Sequence, residues 1–192
     1  MSRLPPLPPE QMSPQQRSVH DAIVSGPRGA VQGPFAAWLR CPEMADPAQR
    51  LGAFCRFGSS FPPRLSELAI LVTARHWTAQ FEWWAHARMA RDGGLADAVI
   101  DAIREGRRPA EMQEDEAAVH DFCASALHEG RVAEAPYRRV IALFGERGAV
   151  ELVAIIGYYC MVSLTLNVFE VPVPDGSRPL APPASPRAGE SG

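Results

Sequence analysis

From Leu152 to Phe169 the chain runs eighteen residues without a charge. A segment of that kind has few places to go. It is close to the roughly 20 apolar residues a bilayer-crossing helix needs. Gly157, Ser163, Thr165 and Asn167 dilute it, however, two tyrosines sit mid-span, and no basic flank sets an orientation. A helix apolar on all sides is more simply a central core helix, or one shared with a second subunit, and that is the expectation here. No membrane partner is expected.

The rest of the chain supplies helices to pack around it. Pro and Gly divide the sequence into helical segments, with no alternating run that reads as a strand. Ser13 before Pro14 reads as an N-cap followed by a first-turn proline, and Gly26 closes that helix. A second helix is predicted over 42–57, with Met44, Leu51, Ala53, Phe54 and Phe57 on its apolar face. Pro62-Pro63 launches a helix over 65–76, and Thr78 is placed to cap the next, which ends at Gly93-Gly94. These two form a helical hairpin. Further helices are predicted over 96–105, 114–129 and 137–144, then from about Val150. The fold class is all-α, with this hairpin at its centre.

The length of 192 residues fits one domain with tails. A Pro-rich arm over 1–12, a domain over 13–170 and a Pro-rich extended or disordered tail over 171–192 are the expected divisions. A formal net charge of -3 gives no basic field for nucleic acid. The N-terminus has no signal-peptide pattern, so a cytoplasmic location is expected. Cys41, Cys55, Cys123 and Cys160 are too far apart for a metal knuckle or a redox dithiol, and read as reduced thiols.

Against this plain background, the stretch ELAILVTARHWTAQFEWWAH, Glu67 to His86, stands out. It places two carboxylates and two imidazoles in what otherwise reads as buried helix. Glu67 shares a face with Ile70, Leu71 and Ala74. A carboxylate there loses hydration and favours its protonated form unless a cation or donor compensates. Glu82 and His86, four apart, project from one stripe with Ala79, Ala85 and Met89. If the helices run antiparallel, Glu67 approaches His86, and the pair becomes an acid-base relay. The plainer alternative is a surface Glu82–His86 ion pair, worth a few tenths of a kcal/mol, with Glu67 capping a helix. His76 beside Trp77 reads as a structural or exposed histidine. Two carboxylates and one histidine are not a specific metal set, so no metal is assigned.

The segment RLSELAILVTARHWTAQFEWWAHARMARDGGLADAVIDAIREGRRP resembles the carboxymuconolactone decarboxylase family, which also contains the alkylhydroperoxidase D-like proteins. The likeness is strongest over 67–109, and the helix layout extends it to about 15–170. In the thiol branch a glutamate, two cysteines in C-x-x-C and a histidine form the signature. Those places fall here at Glu67, Ala79, Glu82 and His86, so both cysteines are absent. Disulfide-based peroxide reduction needs two nearby thiols, which this pattern lacks.

The resemblance therefore implies an alkylhydroperoxidase D-like helical bundle and a cofactor-independent lyase or isomerase. Its substrate would be a small unsaturated lactone or carboxylic acid. Glu67, Glu82 and His86 would be the catalytic groups. Thr78 and Ala79 at the helix start, Trp83 and Tyr158 would contact substrate, with Tyr159 a further candidate. A buried tyrosine is expected to satisfy its hydroxyl on a backbone carbonyl. The family habit implies a homo-oligomer, a trimer or hexamer. The alternatives are a degenerate thiol-peroxidase-like protein and a non-catalytic oligomeric binder.

Overall fold

The computed structural model describes residues 2–182. Its centre is the helix that follows Pro62-Pro63. With Pro63 in the first turn, where its missing N–H costs nothing, α4 (Pro63–His76) starts two residues earlier than predicted. Every residue from Leu65 to Ala74 is buried, so α4 has no solvent face along these turns. Around it pack α5 (Gln80–Asp92), α6 (Asp97–Arg104), α7 (Glu114–Glu129) and α8 (Glu134–Val168). The N-terminal α1 (Pro14–Ser25), α2 (Phe35–Trp38) and α3 (Pro42–Ala53) complete eight α-helices, with no strand among the described residues.

The ends of α1 follow the sequence closely. Ser13 Oγ accepts from Gln16 N–H while Gln16 Oε1 accepts from Ser13 N–H, and Gly26 terminates the helix. Two other expectations are corrected. The centre belongs to α4, the first helix of the expected hairpin, and the charge-free C-terminal segment is buried on one side only. α8 buries one side, including Leu152, Ile155 and Ile156, and exposes Val150, Val153, Leu164 and Val168 on the other. By length and composition α8 could cross a bilayer, yet 56% of its most apolar window is buried inside the molecule. The predicted break between the helices over 137–144 and from Val150 is present within the span of α8 as a kink at Gly145, where the backbone is not helical and φ is 68°.

The second correction concerns α3. Its core-facing residues are the small Ala45, Ala48 and Gly52, followed by Cys55, while Leu51, Phe54 and Phe57 are exposed. Small side chains let α3 approach its neighbours closely, and the helix then widens into a π-helical turn over Phe54–Gly58. That turn swings Arg56 and Phe57 toward the site described below.

Both ends of the described chain lie along this bundle. Arg3 N–H donates to the Phe169 carbonyl at the end of α8. Among the described residues after Val171 there is no helix; Leu180 is buried and exchanges two hydrogen bonds with the Gln80 side chain. Residues 183–192, in the tail whose sequence predicts disorder, lie outside the described residues.

Candidate active site

The hairpin corner explains how α5 is aimed. Thr78 has a left-handed φ of 49°, its N–H donates to the Arg75 carbonyl, and the Ala79 N–H donates to the Ala74 carbonyl. This is the Schellman closure of α4, with threonine where glycine is usual. Thr78 is thus the end of one helix, not the predicted cap of the next. Ala79 is the N-cap residue of α5, and the Thr78 hydroxyl accepts from Arg75 Nη1 instead.

The antiparallel return brings the three polar residues together. His86 Nδ1 lies 2.5 Å from Glu67 Oε2, and His86 Nε2 lies 2.8 Å from Glu82 Oε1. All three are buried. A neutral imidazole has one N–H, so two carboxylate acceptors on its two nitrogens favour the doubly protonated ring. Burial alone would pull the His86 pKa down. The charges of Glu67 and Glu82 and their hydrogen bonds outweigh it and push the value up to about 9. The imidazolium is therefore the compensating donor that a buried Glu67 requires. Neither ring nitrogen retains a free lone pair for a metal.

A cavity of about 280 Å³ opens on this cluster. It is near the lower end of the roughly 300–1,000 Å³ common for small-molecule sites, which suits a small metabolite. Glu82 and His86 form part of its wall, whereas Glu67 stands behind His86 and does not reach it. Tyr158 and Tyr159 from α8 line the cavity too, with the Tyr159 ring edge-on to His86 at 5.2 Å between centroids. Burial raises both phenol pKa values above the ordinary range. Apolar walls come from Phe57, Phe81, Met89 and Val162.

Four predicted substrate contacts divide unequally. Tyr158 faces the cavity; Thr78, Ala79 and Trp83 do not line it. Ala79 and Trp83 are fully packed, and Thr78 faces two other surface depressions, of about 810 and 690 Å³. The corner at Thr78 and Ala79 therefore sits away from the reacting space, whereas Phe81 and Glu82 in the first turn of α5 line it. The Tyr158 hydroxyl is also corrected, since it is buried with no hydrogen-bond partner. His76 is exposed beside Trp77 and His128, outside the cavity.

The sequence reading missed Arg28 and Arg56, the two arginines on the cavity wall. Arg56 left a signal, an arginine set within the apolar run Phe54, Cys55, Phe57. Arg28 sits in a Gly- and Pro-rich loop and left none. No cysteine lines this cavity. Cys41 is exposed and Cys160 half-buried; burial pushes Cys55 up to about 11 and Cys123 further.

No protein-family model matches the sequence, and neither does any curated protein. The architecture does have a counterpart among solved structures. A crystal structure from Agrobacterium tumefaciens superposes with a TM-score of 0.60 at 15% identity, covering 74% of this chain and 99% of that one. That protein is of unknown function and is provisionally described as an antioxidant defence protein, AhpD. The fold is alkylhydroperoxidase D-like. At this identity the likeness is one of architecture, and the chemistry must be argued from the site.

Proposed function

We propose that the protein is a cofactor-independent lyase or isomerase that moves protons on a small unsaturated lactone or carboxylic acid. The observation that carries this reading is the Glu67–His86–Glu82 cluster, buried and open to a cavity on the Glu82 and His86 side alone. His86, with a pKa near 9, is protonated at neutral pH and acts as the acid. Glu82, hydrogen-bonded to it and in the wall, exchanges the proton with substrate. Glu67 fixes the ring and its charge from behind, and is a positioning residue.

In a decarboxylation, the bond from carbon to the leaving carboxylate breaks, carbon dioxide departs, and the electron pair enters the conjugated system. The resulting dienolate carbon takes a proton from the His86–Glu82 pair, which recovers one from water. In an isomerisation, Glu82 removes a proton from one carbon and the pair returns it to another. Apolar walls strengthen both steps by excluding water. A thiol route finds less support, because no cysteine borders the cavity and burial disfavours two of the four thiolates.

The reading includes a homo-oligomer of three or six copies in the cytoplasm. Val150, Val153, Leu164 and Val168, exposed along one side of α8, supply an apolar contact surface for it. Light scattering gives the copy number, and a monomer would remove this part.

The deciding experiment screens thiol-blocked, metal-stripped protein against unsaturated lactones and β- or γ-keto acids, following carbon dioxide and ultraviolet absorbance. Turnover on one of them is the expected result. Activity that requires free thiols would transfer the protein to the redox alternative, and binding without turnover would leave a non-catalytic binder.

A further inference from the structure

We infer that Arg28 and Arg56, together with the Tyr158 hydroxyl, form a carboxylate-binding subsite, and that the ligand is a small planar monocarboxylate held by a carboxylate that survives the reaction. Every basic residue of the chain other than histidine is an arginine. Most that contact an acid do so at the surface, as Arg91 does with Asp97 and Arg108 with Asp121. Arg28 and Arg56 make no ion pair among the described residues. Arg28 Nε and Nη2 and Arg56 Nε are buried without a hydrogen-bond partner. Arg56 Nη2 reaches only the Met89 thioether, at 2.8 Å. Buried guanidinium N–H groups are rarely left this way, since the lost hydration must be replaced by an acceptor.

Two of the unsatisfied groups converge, and Arg56 shares their cavity wall. A Cβ on Gly52 would lie 2.0 Å from Tyr158 Oη and 2.6 Å from Arg28 Nη2, so both groups point at the same patch of α3 backbone. Only glycine admits them there. Arg28 lies over the Phe35 ring at 4.6 Å and Arg56 over the Phe57 ring at 4.8 Å, which holds both guanidinium planes before any ligand arrives. Fixed planar forks and a phenol donor are the chemistry that recognises a carboxylate.

Charge selects the valence. Three cations, Arg28, Arg56 and the His86 imidazolium, face two carboxylates, Glu67 and Glu82, leaving one positive charge over. A monocarboxylate neutralises it; a phosphate dianion overshoots. Aromatic walls favour a flat, conjugated body, and the cavity volume restricts its length. An ion-paired carboxylate is stabilised in the ground state, so the group bound here stays on the ligand, and of the two proposed reactions a monocarboxylate held this way undergoes the isomerisation and not the loss of carbon dioxide. Its remainder then extends toward Glu82 and His86. That last step rests on the proposed acid-base function, whereas binding itself does not.

The test is equilibrium binding to the full-length protein carrying ¹³C-methyl methionine. Met89 lies in the cavity against Arg56, and its methyl resonance reports occupancy. Sorbate should shift it saturably, while the uncharged isostere sorbamide should bind at least tenfold more weakly. Arg28→Gln and Arg56→Gln should each weaken sorbate roughly tenfold or more without changing the circular dichroism spectrum or Tm appreciably. Arg28→Lys and Arg56→Lys should restore part of the affinity, keeping charge but losing the fork. Equal affinity for sorbate and sorbamide would overturn the subsite. So would a folded double Gln variant that binds as wild type, or no saturable shift with sorbate or benzoate. Inorganic phosphate displacing sorbate at lower concentration than acetate would overturn the choice of carboxylate. Glu82→Gln should still bind sorbate, so a failed acid-base function leaves this binding difference readable.

Discussion

Two ionic clusters sit one turn apart on α4, each with one cation between two carboxylates, and they have opposite characters. Arg64 spans Asp115 and Glu116 at the start of α7, at 2.6 Å to each. Its acceptors are used again by the backbone: Glu116 Oε2 takes the Gln113 N–H and Asp115 Oδ1 takes the Glu116 N–H. The hydrogen bonds Arg64 donates to Asp115, against some desolvation, raise the Arg64 pKa further, and the same contact lowers that of Asp115. None of its three side chains lines the cavity. The Glu67–His86–Glu82 cluster replaces the arginine by a histidine, the one cation whose ordinary pKa is near 6.5. It borders a cavity, which the Arg64 cluster does not. The same charge arrangement therefore serves as a clamp at one end of the turn and as a proton store at the other.

That contrast is broken most directly by mutation. Glu82→Gln should lower turnover on the true substrate by roughly a hundredfold or more, with little change in folding. A Glu82→Gln protein at full rate would reduce the second cluster to another clamp. Arg64→Ala should do the reverse. It strands Glu116 as a buried charge and should cost about 3 to 4 kcal/mol in chemical denaturation, while the folded fraction keeps its turnover. An Arg64→Ala protein of unchanged stability would mean that this cluster is no clamp.

The pH dependence sharpens the difference. The folded His86 pKa, about 9, stands above its unfolded value of 6.5. Its pairing with Glu67 and Glu82, beside Arg56, Tyr158 and Tyr159, thus stabilises the fold fully below about 6.5. The contribution declines between the two values and is gone above 9, amounting to at most about 3 kcal/mol. Denaturation midpoints measured across that window should fall in the wild type and stay flatter in His86→Gln, with Arg64 contributing no slope there. Parallel profiles in the two proteins would refute the raised imidazolium.

How much of this was legible in the sequence follows from what each signal depends on. The hairpin and the meeting of Glu67 with His86 were readable, because helical spacing and an antiparallel return fix them locally. The role of Thr78 was not. A threonine before a helix reads as a cap, and only the backbone shows that it closes the helix behind it at a positive φ. α3 misled for a related reason: its large apolar residues face outward and its small ones face in, since close helix approach outweighed side-chain burial. The central place of the hairpin that α4 begins was readable as well, from its largely apolar run of residues. Arg28 and the orphaned Tyr158 hydroxyl meet only in three dimensions, from segments far apart in the chain, so no local pattern could announce them.

The smallest effect is the most discriminating, because it separates the two carboxylates inside one cluster. Glu67 touches His86 but not the cavity; Glu82 touches both. Glu67→Gln keeps an acceptor for the Nδ1 proton and removes one of the two charges that raise the imidazolium pKa. The basic limb of the pH–rate profile should therefore move to lower pH, with about a tenfold loss in kcat at neutral pH and little change in KM, as for other groups that act through a neighbour. Glu82→Gln should instead lower the whole profile. If Glu67→Gln lowers the profile without moving its limb, Glu67 handles the proton itself. If both variants move only the limb, the proton donor is elsewhere in the cavity, and Tyr159, edge-on to His86, is the nearest phenol to try.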